Sequence, residues 1–68
     1  MASYFVNDRA QHNGDHEVHR EDCPYLPQIV SKTYVGEHLW CGPAVAAAKL
    51  KYPQSNGCAT CSTDCHTS

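Results

Sequence analysis

Two short pairs of metal-ligating residue types stand out in this sequence, which has five cysteines and five histidines among 68 residues. Cys23 follows His19 with three residues between them, and Cys61 follows Cys58 with two residues between them. Cysteine thiolates and histidine imidazoles in such pairs are the usual ligands of closed, tetrahedral zinc sites. The spacing therefore predicts one zinc ion bound by His19, Cys23, Cys58 and Cys61.

The fourth ligand position has rivals close to the second pair. Cys65 and His66 follow Cys61 closely enough to reach the same ion, so either of them could replace His19. A hairpin that carries His19 is ordered by the core in any case, whereas the C-terminal tail would have to be ordered for this purpose. We therefore favour His19. The remaining cysteine, Cys41, is interpreted as a buried free thiol, and a helix start beside it could make it more reactive.

Disulfide and redox chemistry are the alternatives to a metal site. Five cysteines are an odd number and the sequence shows no secretory signal, which favours a reducing cytoplasm where disulfides do not persist. A thioredoxin-type pair opens a helix, whereas Cys58 and Cys61 follow the predicted helix. Attachment of a c-type haem needs a histidine directly after the second cysteine, where this chain has Ser62.

Length and charge restrict the class of protein further. A chain of 68 residues is one domain at most, and domains of this size often need a metal or a disulfide for stability. The net charge is −2 and the five basic residues are dispersed, so the basic surface typical of nucleic-acid binding is absent. No apolar run approaches the roughly 20 residues that span a bilayer. We expect a protein partner, with nucleic acid unsupported by charge and no membrane association.

The sequence predicts a small α+β fold with about three short antiparallel strands and one helix. Alternating apolar residues and turn signals predict strands near residues 4–6, 16–20 and 33–38, and Asn13-Gly14 predicts the turn between the first two. Gly36 suggests a bulge in the third strand. His16 and His19 are three apart, so on a regular strand they face opposite sides and cannot both be ligands.

The helix is predicted over residues 43–52, because Pro43 suits a first helical position and alanines follow it. Its buried stripe is predicted as Ala46, Ala47 and Leu50. Ile29 and Val30 are expected to anchor the preceding loop in the core, and the tyrosines and Trp40 to lie mostly in the core. Residues 3–61 are expected to form the ordered part of a single domain, followed by an irregular tail over residues 62–68.

Together these motifs resemble a known family. The His19-x3-Cys23-Pro24-Tyr25-Leu26 stretch, the strand around Tyr34, the alanine-rich helix from Pro43 and Gly57-Cys58-x2-Cys61 resemble the zinc-binding domain of Ada, the DNA methyl-phosphotriester repair protein, and its small stand-alone relatives. The resemblance covers about residues 16–61 and implies an α+β fold with one zinc ion bound by the two pairs. In that family the position of His19 is a cysteine that is both ligand and methyl acceptor, and an imidazole does not reproduce that nucleophile.

The expected function is therefore that of a non-catalytic zinc-binding module, an interaction or structural domain rather than an enzyme. Two alternatives remain open from the sequence. One is a thiol-dependent alkyl acceptor that uses Cys41 or Cys65, and the other is a nucleic-acid-binding relative of the Ada zinc domain.

Overall fold

A four-stranded sheet and one short helix make up the computed structural model, which describes residues 1–67. The strands are β1 (Ala2–Asn7), β2 (His16–Arg20), β3 (Lys32–His38) and β4 (Ser55–Gly57), and the helix is α1 (Cys41–Ala48). Single 3-10 turns are formed by Leu26–Gln28 and Thr63–Cys65. The strand order is β3-β1-β2-β4. The α+β class is confirmed, but the sheet has four strands instead of the predicted three.

The unpredicted strand, β4, brings the Cys58–Cys61 pair next to the His19–Cys23 pair. It consists of Ser55, Asn56 and Gly57, which carry no apolar pattern and are residue types typical of turns. It pairs in parallel with β2, whereas the other pairings are antiparallel. The ladder continues as the Cys58 backbone N–H donates to the Val18 carbonyl oxygen at 3.0 Å. Cys58, the first residue of the second pair, thereby lies beside β2, the strand that carries His19.

The pairing of β1 with β3 contains the bulge that the sequence predicted at Gly36. Tyr4 lies opposite Gly36 and Phe5 lies opposite Tyr34, so Val35 is an extra residue on β3. Gly36 has a φ of 104°, a backbone conformation that residues with a Cβ rarely adopt. The predicted turn before β2 is also present, with a φ of 93° at Gly14.

Helix α1 begins two residues before the predicted start and ends four residues before the predicted end. Its buried residues are Cys41, Ala44 and Ala48, with Val45 packed beside them. The predicted stripe of Ala46, Ala47 and Leu50 is wrong, and Leu50 is 90% exposed. Counted from Cys41, the buried side follows the i, i+3, i+4, i+7 pattern of an amphipathic helix. The inward-facing Cys41 therefore sets the rotation of the helix.

The hydrophobic core between α1 and the sheet is small. β1 buries Ala2, Tyr4 and Val6 against the helix, and β2 adds Val18. Val6 and Val18 are the large side chains with essentially no exposed surface among the described residues. Val30, expected to anchor its loop, is 96% exposed, and Tyr25, Tyr34 and Trp40 are about half exposed rather than core residues. A core of this size contributes little to the free energy of unfolding, so a domain like this one usually needs additional cross-links for stability.

Asp8, just beyond β1, ties that strand to β3 and to the residues that follow α1. Its carboxylate accepts hydrogen bonds from Thr33 Oγ1 at 2.6 Å, Ser31 Oγ at 2.7 Å and the Tyr52 hydroxyl at 2.9 Å. Three hydroxyl donors favour the ionised form and lower the pKa of Asp8 to about 2.

Over residues 1–67, no helix has the length and hydropathy needed to cross a membrane.

Candidate metal centre

The two pairs of ligands meet at one end of the β2–β4 ladder. His19 is on β2, and Cys23 lies in the turn that follows it, where its N–H donates to the Arg20 carbonyl at 3.0 Å. Cys58 follows β4 directly, and Cys61 completes a tight turn closed by the Ser62 N–H donating to the Cys58 carbonyl at 2.9 Å. One ligand atom from each of the four residues lies within 4.8 Å of every other. Such a group could hold a metal ion.

The spacing of these donors can be compared with that of a tetrahedral zinc site. Zn–S and Zn–N bonds of about 2.3 and 2.0 Å correspond to tetrahedral edges of about 3.8 Å between sulfurs and about 3.5 Å between sulfur and nitrogen. The Cys23 and Cys58 sulfurs are 3.9 Å apart, and His19 Nδ1 lies 3.5 Å from Cys23 Sγ and 4.0 Å from Cys61 Sγ. These three separations lie close to the edges of such a tetrahedron, so the four residues could hold a single metal ion.

The two nitrogens of His19 have different surroundings. Nδ1 faces the sulfurs, whereas Nε2 lies 3.4 Å from a carboxylate oxygen of Glu17. Histidine ligands commonly use one nitrogen for the metal and present the other to a carboxylate, which fixes the tautomer and the orientation of the ring. Glu17 was not identified from the sequence, although its position two residues before His19 on a strand places both side chains on the same face.

Backbone N–H groups point at the sulfurs from the surrounding turns. The Thr60 N–H donates to Cys58 Sγ at 3.4 Å, and the Arg20 N–H donates to Cys61 Sγ at 3.3 Å. The Tyr25 N–H donates to the sulfur of Cys23. Each sulfur thus has a donor that favours its thiolate form, which is the form that binds metal. The turns are preorganised to support three neighbouring thiolates.

Burial works against these charges as long as no cation balances them. Burial, together with the adjacent Cys61 and Cys58 sulfurs, raises the pKa of Cys23 to about 12. Burial also lowers the pKa of His19, against the opposing effect of Glu17, which favours its neutral imidazole. A neutral imidazole is ready to act as a ligand, whereas the Cys23 thiol has to lose its proton when a metal binds.

The two cysteines outside this cluster are bonded to each other. Cys41, at the start of α1, forms a disulfide with Cys65, and their Cα atoms are 6.2 Å apart. The interpretation of Cys41 as a free thiol is therefore wrong. Cys65 is also withdrawn as a rival ligand, and His66 Nδ1 lies 3.0 Å from the Gly57 carbonyl oxygen instead of joining the cluster. No local pattern in the sequence indicates which cysteines pair, because the two are 24 residues apart.

Gly57 allows the metal-ligating turn and the disulfide to lie close together. A Cβ at this position would lie 2.7 Å from Cys65 Cβ and 2.8 Å from the Ser62 carbonyl oxygen. One of these atoms belongs to the backbone, so the segment could not yield by a side-chain rotation alone. Gly57 is thus needed for the close approach of these segments.

The other histidine on β2, His16, has a different role. His16 stacks on the Tyr52 ring with centroids 3.9 Å apart, and its Nδ1 lies 2.9 Å from the Asn7 carbonyl oxygen. It does not join the cluster, as the strand geometry predicted.

Comparisons of the chain with protein families, with characterised proteins and with solved structures give no match.

Proposed function

We propose that the protein is a structural zinc module whose ion is bound by the thiolates of Cys23, Cys58 and Cys61 and by Nδ1 of His19. The observation that carries this proposal is the convergence of the four donors at near-tetrahedral separations. Three thiolates with one imidazole suit zinc better than magnesium or calcium, which prefer oxygen ligands. The small core gives such an ion a clear role in folding.

A non-catalytic role is part of the proposal. Catalytic zinc sites keep one coordination position for water or substrate, whereas four protein donors fill a tetrahedron. The alternative of an alkyl acceptor depended on Cys41 or Cys65, and their disulfide removes both thiols. We infer that the module serves as an interaction domain for a protein. Half-exposed Tyr25, Tyr34 and Trp40 support this inference, because aromatic residues are enriched at protein interfaces.

The likeness to the Ada-type zinc domain and the cytoplasmic location remain proposals. Both are supported by the same feature, a set of reduced thiols that binds metal within a small α+β fold. The Cys41–Cys65 disulfide is the observation that speaks against a reducing compartment. The redox state of these two cysteines in cells, measured by alkylation before lysis and mass analysis, distinguishes a reducing from an oxidising compartment. Free thiols would support the cytoplasm, and a disulfide would contradict it.

Native mass spectrometry tests the proposed function most directly. The chain purified without chelator should carry one zinc ion and one disulfide, and its cobalt-substituted form should show the absorption bands of thiolate-bound, tetrahedral Co²⁺. Cys58→Ser should lose tight binding, whereas the double variant Cys41→Ala/Cys65→Ala should keep one zinc ion. A folded chain that binds no metal would contradict the proposal, as would loss of the metal in the double variant.

A further inference from the structure

A cleft of about 410 Å³ lies beside the metal centre, between the sheet and the loop that follows Cys23. Its volume falls in the range of small-molecule binding sites, which begins at about 300 Å³. Glu17 and His19 of β2 line it from the sheet side together with Asn7 of β1. The opposite side is formed by loop residues that are mainly apolar, namely Tyr25, Ile29 and Val30.

Both ends of the loop that forms the cleft are fixed. At one end the Leu26 N–H donates to the carbonyl of Cys23, a residue of the metal centre, at 3.0 Å. At the other end the Asp8 backbone N–H donates to the Ser31 carbonyl oxygen at 3.1 Å, and the Ser31 hydroxyl donates to the Asp8 carboxylate at 2.7 Å. A loop held in this way loses little conformational entropy when a ligand binds, which favours binding of small molecules.

The charges around the cleft select the kind of ligand. Arg9 lines the cleft, and its guanidinium has no hydrogen bond or ion pair within residues 1–67, although its backbone N–H donates to Asn7 Oδ1 at 2.9 Å. Glu17 is engaged by His19 Nε2 at 3.4 Å. The Arg9 guanidinium is thus available to a ligand, whereas the Glu17 carboxylate interacts with His19 of the metal centre.

A ligand with two or more negative charges would be repelled from this cleft. Three thiolates around a divalent ion leave one net negative charge next to Glu17, and the whole chain has a net charge of −2. A single carboxylate can pair with the guanidinium of Arg9 through two hydrogen bonds without this penalty. An apolar body of a few carbons would then lie against Ile29 and Val30, whose side chains are at least partly exposed.

We propose that this cleft binds a small monocarboxylate with an apolar body, whose carboxylate pairs with Arg9 and whose carbons contact Tyr25, Ile29 and Val30. The metal centre contributes to this site through Cys23, which anchors one end of the loop. The carboxylate site goes beyond the structural role proposed above, and it uses the metal centre only for that anchor.

Amide NMR titration of the full chain with 4-methylpentanoate tests the proposal, with 4-methylpentanamide and isopentylamine as neutral and cationic analogues. We expect saturable shifts at Arg9, Gln28, Ile29 and Ser31, with a Kd on the order of 1 mM for a ligand of about eight non-hydrogen atoms. The neutral amide should bind about five- to tenfold more weakly, because it lacks the charge-assisted contact. Arg9→Gln should reduce the affinity for the acid to that for the amide.

The control is Lys49→Gln, since Lys49 is an exposed basic residue at the end of α1 and does not line the cleft. This variant should bind the acid as the unmodified chain does. Absence of saturation, equal affinity for acid and amide, or preference for the amine would overturn the proposal whatever the metal content. Native mass spectra of the same samples report bound zinc separately, so a zinc-free chain contradicts the proposed function and not the cleft.

Discussion

Removal of the Cys41–Cys65 disulfide should lower the stability of the domain without removing its metal. The bond joins residues 24 positions apart, and closure of a loop of this length corresponds to about 3.5 kcal/mol in the chain-entropy relation. That value is a large part of the stability of a small domain, which is typically about 5–15 kcal/mol. The double variant Cys41→Ala/Cys65→Ala should therefore unfold at a clearly lower urea concentration.

The measurement is urea unfolding of the zinc-loaded chain, followed by tryptophan fluorescence, since Trp40 precedes the disulfide-bonded Cys41. Cys41 is buried against Ala44 and Ala48, so the lost packing of its sulfur has to be separated from the lost cross-link. The matched control is the chain with its disulfide selectively reduced and its zinc retained, which keeps both sulfurs. If the reduced chain is as stable as the oxidised chain, or the double variant loses less than about 1 kcal/mol, the entropy argument is wrong.

Four further predictions concern the metal centre and its support. Glu17→Gln should weaken zinc binding about 10- to 100-fold in competition with a chelating dye, because a metal-bound histidine loses its carboxylate partner, while Glu37→Gln should not. Zinc binding at pH 7 should release protons, seen as a dependence of the calorimetric heat on the buffer, because the pKa of Cys23 is raised to about 12 before the metal binds. Gly57→Ala should lower the melting temperature, since its Cβ would lie 2.8 Å from a backbone oxygen. The lowered pKa of Asp8 should stabilise the fold above its ordinary pKa of about 4, and this contribution should disappear as the pH falls towards 2, so the stability difference between the chain and Asp8→Asn should vanish there.

The sequence predicted local features better than long-range ones. The strand His16–Arg20 was predicted with its observed bounds, and the four clustered residues were identified, because strand alternation and short ligand spacings are local signals. β4 was missed because a Ser-Asn-Gly strand is specified by its pairing with β2 and not by its own pattern.

The errors in the helix and in the cysteine pairing have a common origin. An alanine-rich helix gives almost no information about which side is buried, since its residues are small on every side. Its rotation is set by Cys41, and Cys41 faces inward to meet Cys65 from a distant part of the chain. The pairing of Cys41 with Cys65, which the alanine pattern does not reveal, therefore accompanies a buried face different from the predicted one.

The order of the cross-links along the chain also determines how the domain would respond to tension. A bound ion would join His19 to Cys61, its outermost ligands, which are 42 positions apart, and the disulfide begins at Cys41 inside that interval and ends at Cys65 beyond it. A pull on the two ends would load the metal centre first, because the shortest path through the molecule would pass from His19 to Cys61. Rupture there would lengthen the path by about 18 residues, or roughly 60 Å, before the disulfide takes the load. Under force the reversible bond breaks first, and the covalent one keeps the helix and the tail together so that the metal site can form again.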